Sequence, residues 1–183
     1  ERPIFIWHYS GHDFYLNSKA IKMAKLTPDV SETFHGIDLD ANGELTGRVY
    51  EDAVSILFPA IAPHIMSPAN LARGWNGYEN IFARAGVTTV AEMGYGIFGR
   101  PAEDQMTGGF YGDDDAYRLY LVPEHRAFTR EFGAEAPSKV IEMVGGEGRA
   151  KVLPQVKFFT DAAFYSQTMR LDPPGYTGGQ SKG

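Results

Sequence analysis

The chain has 183 residues, the size of one ordinary domain, and its 43% hydrophobic and 22% charged residues suit a protein that buries a core rather than a disordered tail. Seventeen Lys and Arg against 23 Asp and Glu leave a net charge of −6, with no basic run to neutralise phosphate, so no nucleic-acid partner is expected. With no cysteine, disulfides, zinc ribbons, iron–sulfur clusters and thiol catalysis are excluded.

Ala53 to Ala72 carries no formal charge and is long enough to cross a bilayer. It also contains Pro59, Pro63, Pro68, His64, Ser55, Ser67 and Asn70, whose polar groups and helix breaks are costly in lipid, so no membrane span is expected. Glu1-Arg2 runs directly into an apolar segment without the pattern of a signal peptide, and the cytoplasm is the expected compartment. A first residue other than Met and a Pro/Gly-rich close from Asp172 to Gly183 read as a piece of something longer.

In chain order, Ile4 to His8 is a short apolar run that suits a buried strand. Asn17 to Lys25 reads as a helix with Ala20, Ile21 and Ala24 on one face and Asn17 or Ser18 as its N-cap. From Thr33 to Tyr50 the pattern becomes an inserted hairpin turning at Asn42-Gly43. Glu51 to Ile65 is a broken helix with Val54, Leu57, Phe58 and Ile61 as its stripe, and Pro68 opens another that Gly86 ends. Val87 to Glu92 is a second strand, followed by a loop rich in Gly and Asp from Gly94 to Asp115. Tyr117 to Val122 is a third strand; a polar helix, the Gly145-Gly146 break and a fourth strand, Val156 to Phe159, complete the series. Strands alternating with helices predict parallel βα units and an α/β fold.

Two motifs carry less than their letters suggest. Gly94-Tyr95-Gly96-Ile97-Phe98-Gly99 spells a dinucleotide-binding fingerprint after a strand, but few helix-capable residues follow before Gly108-Gly109. Asp38-Leu39-Asp40-Ala41-Asn42-Gly43 matches half a calcium loop, but its twelfth position is Val49 rather than Glu, so it reads as a turn. The histidines His8, His12, His35, His64 and His125 form no local zinc pattern. Lys157 is harder to explain blandly. With apolar neighbours in a strand it must find a partner, reach solvent or lose its charge, and a neutral lysine can take up carbon dioxide as a metal-bridging carbamate. The plain alternative is an edge-strand lysine whose head reaches water.

Several segments together resemble one family. They are Arg2-Pro3-Ile4-Phe5-Ile6, Ser10-Gly11-His12, Asn17-Ser18-Lys19-Ala20, Asn42 to Gly47 with Glu51, Ala85 to Val90, and Val156 to Asp161 with Ser166-Gln167-Thr168 and Pro174 to Thr177. In this order they are similar to blocks of the amidohydrolase superfamily, in the subfamily typified by N-substituted formamide deformylase and including proteins labelled exoenzyme regulatory protein. The resemblance implies a partial (β/α)8 barrel of the TIM type with about half the strands and a small inserted β-hairpin at about 33–50. It implies hydrolysis of non-peptide C–N bonds of amide or formamide type, with a small amide substrate and a divalent metal, zinc being the expected ion.

By the same resemblance Lys157 matches the metal-bridging carbamylated lysine. The family's His-x-His pair would precede residue 1, and two further histidines and a catalytic aspartate would follow residue 183. His12 is the candidate catalytic residue at a strand end, contacting substrate or its developing oxyanion. Asp161 is a weaker candidate, supporting the ligands or positioning the loop, and Ala162 stands where the family commonly has Gly. The chain by itself is expected to be inactive, to bind no metal, and to self-associate through exposed barrel edges. The alternatives are a non-catalytic binding or regulatory module, and a dinucleotide-binding protein.

Overall fold

The computed structural model describes residues 2–178, which fall into two compact units: Glu1–Ser67 with Thr160–Gly183, and Pro68–Phe159.

The first unit is built on a four-stranded antiparallel sheet in the order β1-β2-β4-β3. β1 (Phe5–Trp7) and β2 (Asp13–Leu16) pair antiparallel, with Ile6 opposite Tyr15. The expected buried strand at Ile4 to His8 is therefore an edge strand with Ile6 and Trp7 exposed, because the chain turns back at His8–Gly11 and covers only one of its edges. Asn17 caps α1 (Ser18–Met23) by accepting from the Ala20 amide, as its side-chain chemistry predicts, and the same oxygen accepts from the Ile4 amide.

β3 (Ile37–Leu39) and β4 (Leu45–Tyr50) form the hairpin expected from Asn42-Gly43, with Gly43 at φ +80°. β4 also pairs with β2, so the hairpin joins β1 and β2 in one sheet. Alternation then decides what each face carries. Phe14, Leu16 and Val49 join the buried core with Ile37, Ala20, Leu57 and Ile61. Asp13, Tyr15, Arg48 and Tyr50, at the intervening positions, belong to the other face. A 3₁₀ turn at Glu51–Ala53 leads into α2 (Val54–Ile65), which carries Pro59 and Pro63 without ending.

In the second unit β5 (Thr89–Tyr95), β6 (Arg118–Pro123) and β7 (Lys151–Val152) form a parallel sheet in chain order. α3 (Pro68–Ala85) precedes β5 and ends at Gly86, which takes φ +68°. α4 (Arg100–Phe110) joins β5 to β6, while α5 (His125–Phe132) and α6 (Ala136–Met143) join β6 to β7. The core is Tyr95, Tyr111, Tyr117, Leu119, Leu121, Phe128, Val140 and Val152, with Trp75 and Phe82 of α3 packed against it. No residue of α3 is fully buried, and Tyr78 and Ile81 are exposed.

Two expectations are corrected here. The loop expected from Gly94 to Asp115 contains α4: Pro101 fits its first turn, Arg100 pairs with Asp104 one turn on, and Gly108-Gly109 falls in the last turn, where its helix-weakening cost is small. The strand expected at Val156 to Phe159 begins earlier, at Lys151, and lapses at Pro154, which has no N–H to donate. Parallel pairing resumes only as the isolated bridge between Glu124 and Lys157. Among the described residues no single helix is long and apolar enough to cross a membrane; the uncharged stretch from Ala53 to Ala72 is divided between α2 and α3.

Candidate functional site

The first unit holds the more organised polar cluster. His12 follows the turn into β2, and its Nδ1 lies 3.1 Å from Glu51 Oε2. An ionised carboxylate only accepts, so Nδ1 donates to Glu51, and in the neutral imidazole Nε2 then keeps its lone pair. The other Glu51 oxygen accepts from the Thr168 hydroxyl at 2.5 Å. That hydroxyl in turn accepts from the Ala163 amide at 3.1 Å. Glu51 sits at φ +46°, a strained position for a residue with a side chain, and is held there by its own N–H donating to His12 O. The arrangement fixes one imidazole tautomer, as carboxylates do for histidines that act as bases, hydrogen-bond acceptors or ligands.

The polar face of the sheet lies alongside. Arg48 Nε and Nη2 both donate to Asp13 Oδ1, at 2.8 and 2.6 Å, although the Asp13 side chain is only 2% exposed. Burial disfavours the guanidinium cation, yet the hydrogen bonds and charge of Asp13 outweigh it and hold the Arg48 pKa above its ordinary value. Arg48 also lies over the Tyr50 ring at 4.5 Å. His8, Asp13, Tyr15, Arg48 and the segment Tyr165–Gln167 line an open cavity of about 220 Å³. Asp161, the other catalytic candidate, is turned to its own loop, accepting from the amides of Ala162 at 2.8 Å and Arg170 at 2.9 Å. It positions the loop that carries Ser166 and Thr168.

Lys157 belongs to the second unit. Its N–H donates to Pro123 O at the end of β6, and its carbonyl accepts from the His125 amide. It is half-buried, with Nζ 4.8 Å from the Phe159 ring centroid. His125 stacks on Phe158 at 4.6 Å. Glu124, between β6 and α5, is 1% exposed; Oε1 accepts from Arg126 at 2.9 Å and Oε2 from the Ala127 amide at 2.8 Å. Burial raises the Glu124 pKa, but the Arg126 side chain and the Ala127 and Arg126 amides outweigh it and leave the carboxyl below its ordinary value of 4.5.

A folded-state pKa below the unfolded one adds stability that is present above about pH 4.5 and is lost as the pH falls through the folded value. Glu124→Gln is therefore expected to flatten the acid limb of the stability profile, read from urea midpoints between pH 7 and 3. Glu124→Ala is expected to remove a helix cap worth about 1 kcal/mol at pH 7.

Among the described residues there is no group of three or more His, Asp or Glu side chains able to hold a metal ion. The two discounted motifs are occupied internally. The Gly96 and Phe98 amides donate to Glu103 at 2.6 and 2.7 Å, so the loop that would cradle a pyrophosphate is already filled by a carboxylate. Asp40 accepts from the Asn42 and Glu44 amides, and Asp38 accepts from Thr46, which accounts for the calcium-like letters.

Sequence reasoning singled out His12 but not its partners. Glu51 stood out as the opening of a helix and, like Thr168, within a segment of the resemblance, but the two lie 117 residues apart with no local pattern linking them. Asp13 and Arg48 had a readable signal: opposite charges at alternating positions of two strands, which strand pairing brings to one face.

No family model matches the chain, and no curated protein matches it. Two solved structures do. One is an uncharacterized metal-dependent hydrolase from Pyrococcus horikoshii OT3, with a TM-score of 0.51 and 16% identity over 91% of this chain and 30% of that one. The other is an uncharacterized metal-dependent hydrolase from Pyrococcus furiosus, with a TM-score of 0.51 and 20% identity over 91% of this chain and 31% of that one. At these identities the likeness is one of fold, and this chain spans less than a third of either protein.

Proposed function

We propose that these residues are part of a metal-dependent amidohydrolase, a portion of a (β/α)8 barrel that hydrolyses C–N bonds of amide or formamide type. The observation that carries this reading is the fold likeness over 91% of the chain to two proteins named as metal-dependent hydrolases. The three parallel strands in chain order, each reached through helices, agree with it. So does the place of Lys157 beyond the C-terminal end of β6, the side on which such barrels carry their chemistry. In this reading Lys157 provides one metal ligand as its carbamate, and the remaining ligands lie outside these residues.

Hydrolysis joins a water oxygen to the carbonyl carbon, breaks the C–N bond and delivers a proton to the leaving nitrogen. His12 is the residue of this chain suited to that proton traffic. Glu51 holds the Nδ1 proton, so in the neutral imidazole Nε2 can take a proton from the attacking water and pass it to the leaving nitrogen. Thr168 keeps the Glu51 carboxylate turned toward the imidazole.

Glu51→Gln retains the shape of the side chain but places an amide where the carboxylate received Nδ1–H. In the gene product that carries these residues, it is expected to lower turnover of a formamide or simple amide about tenfold with an unchanged melting temperature. Unchanged turnover would remove His12 from the reaction, and absence of amide hydrolysis by the unaltered protein would overturn the proposed function itself.

A further inference from the structure

We propose that the cavity over the polar face of the antiparallel sheet binds a small neutral molecule bearing adjacent hydroxyl groups, of the sugar or cyclitol class. The argument begins with an incomplete ion pair. Arg48 places two donors on Asp13 Oδ1, and no partner for Oδ2 exists among the described residues. The fully occluded side-chain atoms without partners among those residues are Trp75 Nε1 and Tyr176 OH. Asp13 Oδ2 is not one of them, and Asp13 lines the cavity. A carboxylate in a side chain 2% exposed, with one oxygen unmatched, is costly unless a donor completes it.

Arg48 is unmatched in the complementary sense. Nη1 has no partner among the described residues, and Nη2 reaches Ser166 O at only 3.5 Å. Stacking on Tyr50 and the double bond to Asp13 fix the guanidinium plane, so its outer edge is a preorganised donor. The cavity thus offers a strong acceptor and a strong donor side by side.

A hydroxyl both donates and accepts, and two adjacent hydroxyls satisfy Asp13 and Arg48 together. A ligand with a full charge has less to recruit, because Asp13 and Arg48 already neutralise one another and charged ligands lose more hydration on entry. The rim points the same way. Tyr165 is 72% and Tyr15 43% exposed at the cavity, and Tyr9, 6.1 Å from the Tyr165 ring centroid, is 81% exposed. Exposed aromatic faces with polar tips around a polar floor suit the apolar C–H face of a ring whose hydroxyls point inward. A cavity of about 220 Å³ has room for one such ring. The inference concerns binding alone and does not rest on the hydrolytic reading.

The test is ligand-observed NMR titration of the purified 183-residue chain with methyl α-glucoside, methyl β-galactoside and myo-inositol, with glycine and acetate as charged comparisons. At least one hydroxylated probe is expected to saturate with a Kd of about 10 mM or tighter. Arg48→Lys and the surface variant Tyr165→Ala, each checked by thermal melting, are each expected to weaken that binding about tenfold. The proposal is overturned if no hydroxylated probe saturates, if glycine or acetate binds more tightly than all three, or if folded Tyr165→Ala and Arg48→Lys bind as the unaltered chain does.

Discussion

Gly36→Ala is expected to destabilise the first unit by at least about 3 kcal/mol. A Cβ at Gly36 would lie 1.6 Å from the Tyr50 carbonyl oxygen and 2.7 Å from its carbon, both backbone atoms with no rotamer through which to withdraw. The approach is fixed from both sides: the Tyr50 amide donates to Gly36 O at 2.8 Å, and the Gly36 amide donates to Asp52 at 3.0 Å. Relief therefore requires the Tyr50–Asp52 corner to move, and that corner holds Glu51 in its left-handed conformation against His12. The comparison is Gly43→Ala. Gly43 has φ +80° but nothing within 4 Å of its would-be Cβ, so that change is expected to cost only about 1 kcal/mol of turn strain. Urea unfolding of both variants measures the difference, and equal midpoints would show that the close approach at Tyr50 is not a constraint.

Phe128→Ala is expected to cost about 3–5 kcal/mol, a large share of the stability of a domain of this size. The ring is 1% exposed and lies 5.7 Å from both Tyr95 and Phe132, between β5 and its own helix α5. It also meets the Gly96 loop, where a Cβ on that glycine would stand 3.2 Å from both the Phe128 ring and Ala127 Cβ. Truncation therefore empties the centre of the second core and loosens the support of the β6–α5 junction that carries Glu124 and adjoins Lys157. Phe128→Leu, which keeps most of the volume, is expected to recover more than half of the loss. Similar midpoints for the Ala and Leu variants would mean that this core collapses around the gap.

The parts of this fold legible in the sequence were those fixed by local chemistry. Asn17 is a helix cap because its side chain reaches the Ala20 amide three residues on; Asn42-Gly43 is a turn because Gly43 tolerates positive φ; Gly86 ends α3 for the same reason. The parallel pairing of β5 with β6 follows from the alternation of apolar runs with helical spacing, whereas β7 forms earlier than the apolar run at Val156 to Phe159. What local reading missed was set by distant partners. β2 is four residues long, and Asp13 at its head was hidden from any apolar template because its neutralising Arg48 lies 35 residues away. α4 looked like a loop because Gly108-Gly109 dominates its composition, whereas its first turn is secured by Pro101 and by Arg100, which pairs with Asp104 and with Glu131 on α5. Lys157 looked like a strand residue through its apolar neighbours, but Phe158 and Phe159 are exposed and only one bridge joins it to β6.

His12, singled out for its position after Ser10-Gly11, sits in the most organised hydrogen-bond cluster of the first unit. Its partner Glu51 was visible as a residue, not as a partner. Pairing across 39 positions depends on the β2–β4 register, which no window of sequence contains.

The most direct measurement of the central claim is divalent metal content beside amide hydrolysis for three samples: the gene product carrying these residues, the same protein with Lys157→Ala, and the 183-residue chain alone. The account predicts bound metal and turnover in the first, a loss of more than about tenfold in both with Lys157→Ala, and neither in the third. Stoichiometric metal on the 183-residue chain alone, or metal and turnover unaffected by Lys157→Ala, would contradict it.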